Sequence, residues 1–161
     1  VLIVEGKNLH VNKEFLAIHS PVFAAMFFGE FAEKGKEEVE IKDIVFEEFV
    51  DLLNVIHPSF TPITEKSAAH ILKLSDRFQM KGALTLSENY LKTTTAFSIV
   101  NKMFLADQYN LQKVKNHVLQ SIMNVYGLDI ITSSPEYDNF SDATKASICD
   151  RVKTLIAFKP E

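Results

Sequence analysis

The sequence predicts an α+β fold in which a short three-stranded sheet packs with a cluster of helices and an all-helical part follows. Stretches of alternating polar and apolar residues occur within the first 41 residues, whereas helical spacing dominates from residue 45 onwards. Short strands and helices followed by helices alone are typical of α+β proteins. The 161 residues, 47% of them hydrophobic, suffice for a core without disulfides or bound metal.

The chain opens with a predicted β-hairpin, in which residues 1–4 and 9–11 form strands and residues 5–8 form the turn. Residues 13–18 then form a short helix that Asn12 can cap. Phe15, Leu16 and Ile18 cannot share one face of so brief a helix. The helix is therefore either buried on two sides or covered on one side by a partner, and the residues alone leave both interpretations open.

A second helix has a sharp start and a sharp end. Ser20 can cap it, Pro21 suits its first position, and Gly29 offers a left-handed stop. Phe31-Ala32-Glu33 follows, so that a large apolar side chain and a carboxylate stand in a loop. The pattern predicts that Phe31 either folds back onto the domain or contacts a partner.

Residues 37–41 alternate in polarity and predict a strand with one buried face. Asp43 can cap the next helix, residues 45–56, which is apolar on most sides and therefore central. Residues 57–62 form a loop held by two prolines, and Phe60 lies between them on a rigid support. Thr64 can cap the helix that follows, and another spans residues 81–91.

The remaining third of the chain is predicted to be helical. Residues 93–95, three threonines, form a polar break, and helices follow over residues 96–108 and 111–126. Residues 132–136 form a loop before a short segment at 137–140. Ser141 can cap a last helix, in which we expect Cys149 to face the core as inert packing.

Composition excludes several classes of function. A net charge of −4 argues against nucleic acid as a partner, because phosphate binding requires a clustered positive surface. The single cysteine excludes an intramolecular disulfide. No apolar run is long enough to span a membrane, and the start does not read as a signal peptide. Because the first residue is not methionine, we expect a longer protein whose other part holds the specificity.

No pattern of catalytic residues is present in the sequence. The five glycines are too far apart for a phosphate loop, and the five histidines show no metal-ligand spacing. No serine stands in a nucleophile elbow. The sequence therefore predicts a binding protein without catalytic residues, cofactor or metal. Much of the phenylalanine (13 residues) is expected to fill the core, and a surplus on a small domain often serves interfaces.

Three stretches carry a resemblance to a known family. They are LHVNKEFLAIHSPVFAAMF at residues 9–27, VEI at residues 39–41 and LKLSDRF at residues 72–78. The chain resembles BTB/POZ domains, most of all those of the MATH–BTB adaptors of cullin-3 ubiquitin ligases. The resemblance implies a BTB/POZ domain over residues 1–94 and a helical extension over residues 95–161, similar to a 3-box and the start of a BACK region.

The resemblance also implies partners and sites. It implies a homodimer, cullin-3 bound through its N-terminal domain, and a substrate held by a domain outside this chain, in the cytoplasm, the nucleus or both. The implied cullin contacts are Phe31, Ala32, Glu33, Pro58 and Phe60. The implied dimer interface contains Phe15, Leu16, Ile18 and Phe23.

The chain departs from the family's pattern at two places. Residues 56–59 read Ile-His-Pro-Ser where many family members have tyrosine and glycine, which bears on the cullin contact, and Asn12 replaces a frequent histidine, which affects only local hydrogen bonding. The alternative is a self-association and co-repressor platform of the kind found in BTB transcription factors. In that case the dimer forms a groove for repressor peptides, and Phe31-Ala32-Glu33 is incidental.

Overall fold

The structure, a computed structural model, describes residues 1–29, 37–58 and 60–157. The chain divides into two compact units, Val1–Ser87 (unit 1) and Glu88–Glu161 (unit 2). Strands and helices in unit 1 and helices in unit 2 confirm the predicted α+β fold with a helical C-terminal part. The division falls inside the helix Lys81–Thr93, and the domain boundary predicted after residue 94 stays a prediction.

Short strands precede and interrupt the helices of unit 1, whereas the described part of unit 2 is helical. Unit 1 contains β1 (Leu2–Val4), β2 (Lys7–Leu9), α1 (Lys13–His19), α2 (Pro21–Phe28), β3 (Val39–Ile41), α3 (Phe46–Ile56), α4 (Glu65–Arg77) and the first part of α5 (Lys81–Thr93). Unit 2 contains the rest of α5, α6 (Ile99–Gln108), α7 (Gln112–Ser121), α8 (Val125–Thr132), a 3-10 turn (Tyr137–Asn139) and α9 (Asp142–Ala157).

The sheet of unit 1 has the strand order β2-β1-β3, with β1 antiparallel to β2 and parallel to β3. The hairpin is confirmed, but its turn is shorter than predicted, because only Glu5 and Gly6 lie between the strands. Both have positive φ, 48° and 73°, which suits a two-residue turn. Val39 and Ile41 are buried and Glu40 is exposed, which confirms the predicted one-sided burial of β3.

Three phenylalanines form the centre of the unit 1 core. The ring of Phe23 lies 4.6 Å from that of Phe78 and 6.2 Å from that of Phe49, and Phe49 and Phe78 are 5.7 Å apart. All three are buried. The buried hydroxyl of Ser20 donates a hydrogen bond to the Phe78 carbonyl oxygen at 2.6 Å. The start of α2, the middle of α3 and the end of α4 are therefore held together.

Most predicted helix starts in unit 1 are confirmed, but the cap of α3 is not. The side-chain oxygens of Asn12, Ser20 and Thr64 accept backbone N–H groups at the starts of α1, α2 and α4. The prediction that Asp43 caps α3 is wrong. The N–H of Phe46 instead donates to the carboxylate of Glu5 at 2.9 Å.

The predicted left-handed stop at Gly29 is also wrong. Gly29 ends α2 with φ of −76° and ψ of −171°, which is extended backbone. Its N–H donates to the Ala25 carbonyl oxygen at 2.8 Å, and a Cβ at this position would overlap that oxygen. Glycine therefore suits the position because of this close approach and not because of φ.

Two helix boundaries of unit 2 differ from the prediction. The helix predicted over residues 96–108 begins at Ile99, where Ser98 caps it. The single helix predicted over residues 111–126 is two helices, α7 and α8. Asn124 caps α8 by accepting the Gly127 N–H at 3.0 Å. A second helix therefore starts here, although the apolar residues continue at helical spacing.

Helix α9 starts as predicted, and of the face predicted to be buried it buries Ile148 but leaves Cys149 and Ile156 exposed. Ser141 Oγ accepts the Thr144 N–H at 3.3 Å, which confirms the cap. Thr144 and Ile148 are buried. Cys149 is exposed, so the prediction that it faces the core is wrong. Residues four apart share a helix face, and Cys149, one residue after Ile148, is turned away from that face.

Candidate binding surfaces

A groove of about 380 Å³ lies on unit 1, between the segment after β2, helix α1 and the end of α3. Its lining combines apolar side chains with two imidazoles and an amide. The lining residues are His10, Val11, Asn12, Phe15, Leu16, Leu53, His57 and Pro58. A concave, mostly apolar site with a few polar groups is typical of a binding site.

Local hydrogen bonds fix the walls of this groove. Asn12 Oδ1 accepts the Phe15 N–H at 2.7 Å, so the residue that starts α1 also orients its first turn. The Phe15 ring lies 4.6 Å from the imidazole of His19 and 6.4 Å from that of His57. The His57 N–H donates to the Leu53 carbonyl at 3.0 Å, which places His57 directly after α3.

The four residues implied for the dimer interface differ in exposure. Ile18 is 82% exposed, Phe15 is half-buried, and Leu16 and Phe23 are buried in unit 1. Phe15 and Leu16 line the groove. Phe15 and Ile18 therefore expose apolar surface on α1, whereas Leu16 and Phe23 lie in the core of unit 1. The assignment of these residues to a dimer interface stays a prediction.

The residues implied for cullin contact fall in two places. Phe31, Ala32 and Glu33 lie outside the described residues. Pro58 is exposed at the groove, and Phe60 is 48% exposed. Phe60 has φ of 43°, a value that non-glycine residues rarely adopt, and its N–H donates to the His57 carbonyl at 2.8 Å. The loop thus presents an aromatic side chain at the surface.

The sequence pattern did not predict an apolar surface that lies at helix α8. Four large apolar side chains stand exposed within eight residues: Met123 (79%), Val125 (46%), Tyr126 (84%) and Ile130 (58%). We call this set the α8 surface. Leu128 and Ile131 bury the opposite face. The four-residue spacing of Tyr126 and Ile130 was a usable signal, but the predicted helix ended at residue 126.

A partly buried polar cluster, in which Lys115 and Thr144 are buried, holds α6, α7 and α9 together. The Asp107 carboxylate accepts hydrogen bonds from the N–H and hydroxyl of Ser141 at 2.7 and 2.6 Å. It also accepts from the Thr144 hydroxyl at 2.6 Å and from Lys115 Nζ at 3.2 Å. Burial by itself raises the pKa of Asp107, but these hydrogen bonds outweigh it and hold that pKa well below its usual range. The cluster is structural, because its polar groups satisfy one another.

Neither a metal site nor a membrane-crossing helix is found in the described residues. Over residues 1–29, 37–58 and 60–157, no three His, Cys, Asp or Glu side chains are grouped so that they could hold a metal ion. Within the same part of the chain, every helix is too short or too polar to cross a membrane.

Comparison with known proteins identifies the family. The family model for the BTB/POZ domain matches residues 1–95. The chain is 37% identical over 155 residues to BTB and MATH domain-containing protein 38 of Caenorhabditis elegans, covering 96% of this chain and 40% of that protein. It is 33% identical over 156 residues to BTB and MATH domain-containing protein 36 of the same organism, covering 97% and 49%. The chain thus spans less than half of each relative. It belongs to the BTB/POZ domain family, whose members are protein-interaction modules.

Proposed function

We propose that this chain is a non-catalytic, homodimerising adaptor that recruits cullin-3 to a ubiquitin ligase in the cytoplasm, the nucleus or both. A domain outside the chain holds the substrate. The main support is the exposed apolar side chain of Ile18 beside Phe15 on α1, within a BTB/POZ domain whose relatives carry BTB and MATH in their names. Phe15 and Ile18 stand three residues apart on α1, and a contiguous apolar patch on a protein surface commonly marks an interaction site.

In this proposal the second copy covers α1. Phe15 and Ile18 are the contact residues, and Leu16 and Phe23 hold α1 and α2 in place from the core. A twofold dimer brings the same patch from both copies together, so each apolar contact residue occurs twice in the interface. Two linked copies present two cullin sites and two substrate sites, and avidity then strengthens binding without new contacts.

Cullin-3 is proposed to bind at Phe31-Ala32-Glu33, with Pro58 and Phe60 as further contacts. Phe31 is the apolar anchor, and Glu33 accepts hydrogen bonds at its rim. The exposure of Pro58 and Phe60 supports their proposed role as cullin contacts.

A co-repressor platform is the second candidate function. The groove favours it, because 380 Å³ of concave, largely apolar space accommodates side chains of a bound peptide. In this alternative, repressor peptides bind at the dimer and the residues of the Phe31 loop make no contact.

Calorimetric titration with the N-terminal domain of cullin-3 tests the adaptor proposal. The wild-type chain is compared with Phe31→Ala and Glu33→Ala, and with Ile156→Ala as a control at an exposed apolar residue of α9. We expect binding that Phe31→Ala weakens by at least about thirtyfold, as for an aromatic anchor. Absence of binding by a wild-type chain that light scattering shows to be a folded dimer would reject cullin recruitment and favour the platform.

A further inference from the structure

We propose that Thr61, in the loop between α3 and α4, is phosphorylated by a proline-directed protein kinase. The inference goes beyond the proposed function and rests on it only in placing the chain inside the cell, where such kinases and ATP are present. Three observations carry it: the proline after Thr61, the exposure of this loop, and a comparison with the other two hydroxyl side chains that precede a proline.

Three hydroxyl side chains in the sequence stand directly before a proline. They belong to Ser20, Thr61 and Ser134. A residue before proline is biased towards extended backbone, which is the conformation in which a kinase binds the segment that it modifies. Proline also has no N–H, so a kinase that accepts it after the target residue needs no hydrogen-bond acceptor at that position. The sequence therefore offers three target hydroxyls, and the fold decides between them.

Ser20 and Ser134 are held by hydrogen bonds within the fold. The hydroxyl of the buried Ser20 donates to the Phe78 carbonyl oxygen at 2.6 Å and accepts the Phe23 N–H at 3.1 Å. The half-buried Ser134 donates from its hydroxyl and from its N–H to the Ile131 carbonyl oxygen, at 2.8 and 3.2 Å. A kinase reaches either hydroxyl only after these hydrogen bonds break.

Thr61 lies on an exposed part of its loop. Phe60, Thr61 and Pro62 are all exposed. The Thr61 N–H donates to the Asn54 carbonyl oxygen at 3.1 Å, and the buried side chain of Ile63 fixes the segment on its other side. These two anchors position the backbone and leave Thr61 at the surface. A kinase can therefore bind this segment with little local unfolding.

The start of α4 tolerates a phosphate at Thr61. Thr64 caps this helix with its own hydroxyl, so the cap does not depend on Thr61. The first charged residues after Thr61 are Glu65 and Lys66, which are exposed and of opposite sign. A phosphate adds a charge of about −2 near neutral pH. We therefore expect phosphorylation to make the surface beside Phe60 anionic without unfolding the chain.

The transfer needs only the kinase and ATP. The Thr61 hydroxyl oxygen attacks the γ-phosphorus of ATP, and the bond from that phosphorus to the oxygen that bridges to the β-phosphate breaks. ADP leaves with the electron pair of that bond, and the hydroxyl proton passes to the catalytic aspartate of the kinase. The product is phosphothreonine in the loop.

Incubation of the folded chain with ATP and a proline-directed kinase tests the proposal. A mitogen-activated protein kinase and a cyclin-dependent kinase are used separately, and mass spectrometry of the intact chain and its peptides measures the number and position of the phosphates. We expect at least one of the two kinases to modify Thr61, at least about tenfold faster than Ser134. The phosphorylated chain should have a thermal midpoint within about 3 °C of that of the unmodified chain.

Variants at the two residues show what the kinase requires. Thr61→Ser keeps the hydroxyl and should be modified, whereas Thr61→Ala should lose the modification and Pro62→Ala should slow it. Ser134→Ala is the matched control, because it changes another hydroxyl before a proline, and it should keep the wild-type rate.

Four outcomes would overturn the proposal. They are a wild-type chain that neither kinase modifies at Thr61, modification of Ser134 at an equal or higher rate, an undiminished rate in Pro62→Ala, and a thermal midpoint outside the expected range. The first two are measured on the wild-type chain and need no variant to fold.

The kinase reaction contains no cullin, so its failure leaves the calorimetric result on cullin-3 untouched. Conversely, a chain that does not bind cullin-3 can still be phosphorylated at Thr61, and only the adaptor function is then rejected.

Discussion

Glu5 caps a helix that begins 41 residues later in the chain, because its carboxylate accepts the Phe46 N–H at 2.9 Å. Lys7 strengthens the same junction. Its ammonium lies 2.7 Å from the Glu47 carboxylate and 4.4 Å from the centre of the Phe46 ring. The turn of the first hairpin therefore caps the start of α3, because the side chain of the preceding residue, Val45, makes no capping hydrogen bond.

Glu5→Ala should lower the free energy of unfolding by about 1 kcal/mol, the usual loss when a helix cap is removed. Urea denaturation followed by circular dichroism measures it. Glu38→Ala removes another exposed glutamate of unit 1 and should have little effect. Equal losses for the two variants would show that net charge, and not the cap, is responsible.

Asp107→Ala should cost about 3–5 kcal/mol of stability, because it leaves the buried Lys115 ammonium without its carboxylate. Asp150→Ala is the matched control, since that carboxylate pairs with Lys153 at an exposed site. We expect little change there. Similar losses for both variants, measured by urea denaturation, would contradict the importance of the buried cluster.

The depressed pKa of Asp107 also predicts a dependence of stability on pH. In the unfolded chain the pKa of this carboxyl is about 3.9, above its pKa in the folded chain. The stabilisation of the folded state by this carboxylate is therefore complete at neutral pH and is lost as the pH falls below about 5. Urea midpoints measured across this range should fall more steeply for the wild-type chain than for Asp107→Asn, and parallel curves would refute the prediction.

Gly29→Ala and Gly82→Ala should have opposite effects on stability. A Cβ at Gly29 overlaps the Ala25 carbonyl oxygen, so we expect a loss of about 1–3 kcal/mol. A Cβ at Gly82 meets nothing within 4 Å on α5, so alanine should add about 0.5 kcal/mol through helix propensity. Thermal denaturation compares the two, and a neutral Gly29→Ala would show that the end of α2 adjusts.

Ile18→Asp should weaken self-association without unfolding unit 1, because Ile18 is 82% exposed. Leu16→Ala is the contrasting variant. It empties a buried position and should lower stability by about 2–5 kcal/mol. Sedimentation velocity over a range of concentrations measures association, and an unchanged dimer in Ile18→Asp would exclude this face as the interface.

Cys149 should react fully with a thiol reagent in the folded state, because it is exposed on α9. One thiol per chain is expected, at a rate within about tenfold of that in the urea-unfolded protein. The Cys149→Ser variant supplies the blank. Protection that disappears only on unfolding would mean that this side chain faces the core after all.

Several parts of the groove could be predicted from sequence, but the groove itself could not. The sequence predicts the cap at Asn12 and a second apolar face on the helix with Phe15, because both depend on neighbours within a few positions. Leu53 and Pro58 come from α3 and its end, about 40 residues later. Their meeting with Phe15 depends on how α3 packs in unit 1, and no local pattern contains that information.

The sequence by itself determined the family, the order of strands and helices in unit 1, and the caps at Asn12, Ser20 and Thr64. These features depend on residue identity and on interactions between residues three or four apart, which a linear pattern displays. The tertiary structure alone decided the cap from Glu5 and the bonds from the Arg77 guanidinium to the carbonyls of Lys42 and Asp43. Such partners are 34 or more residues apart, and only the packing of whole elements brings them within hydrogen-bonding distance.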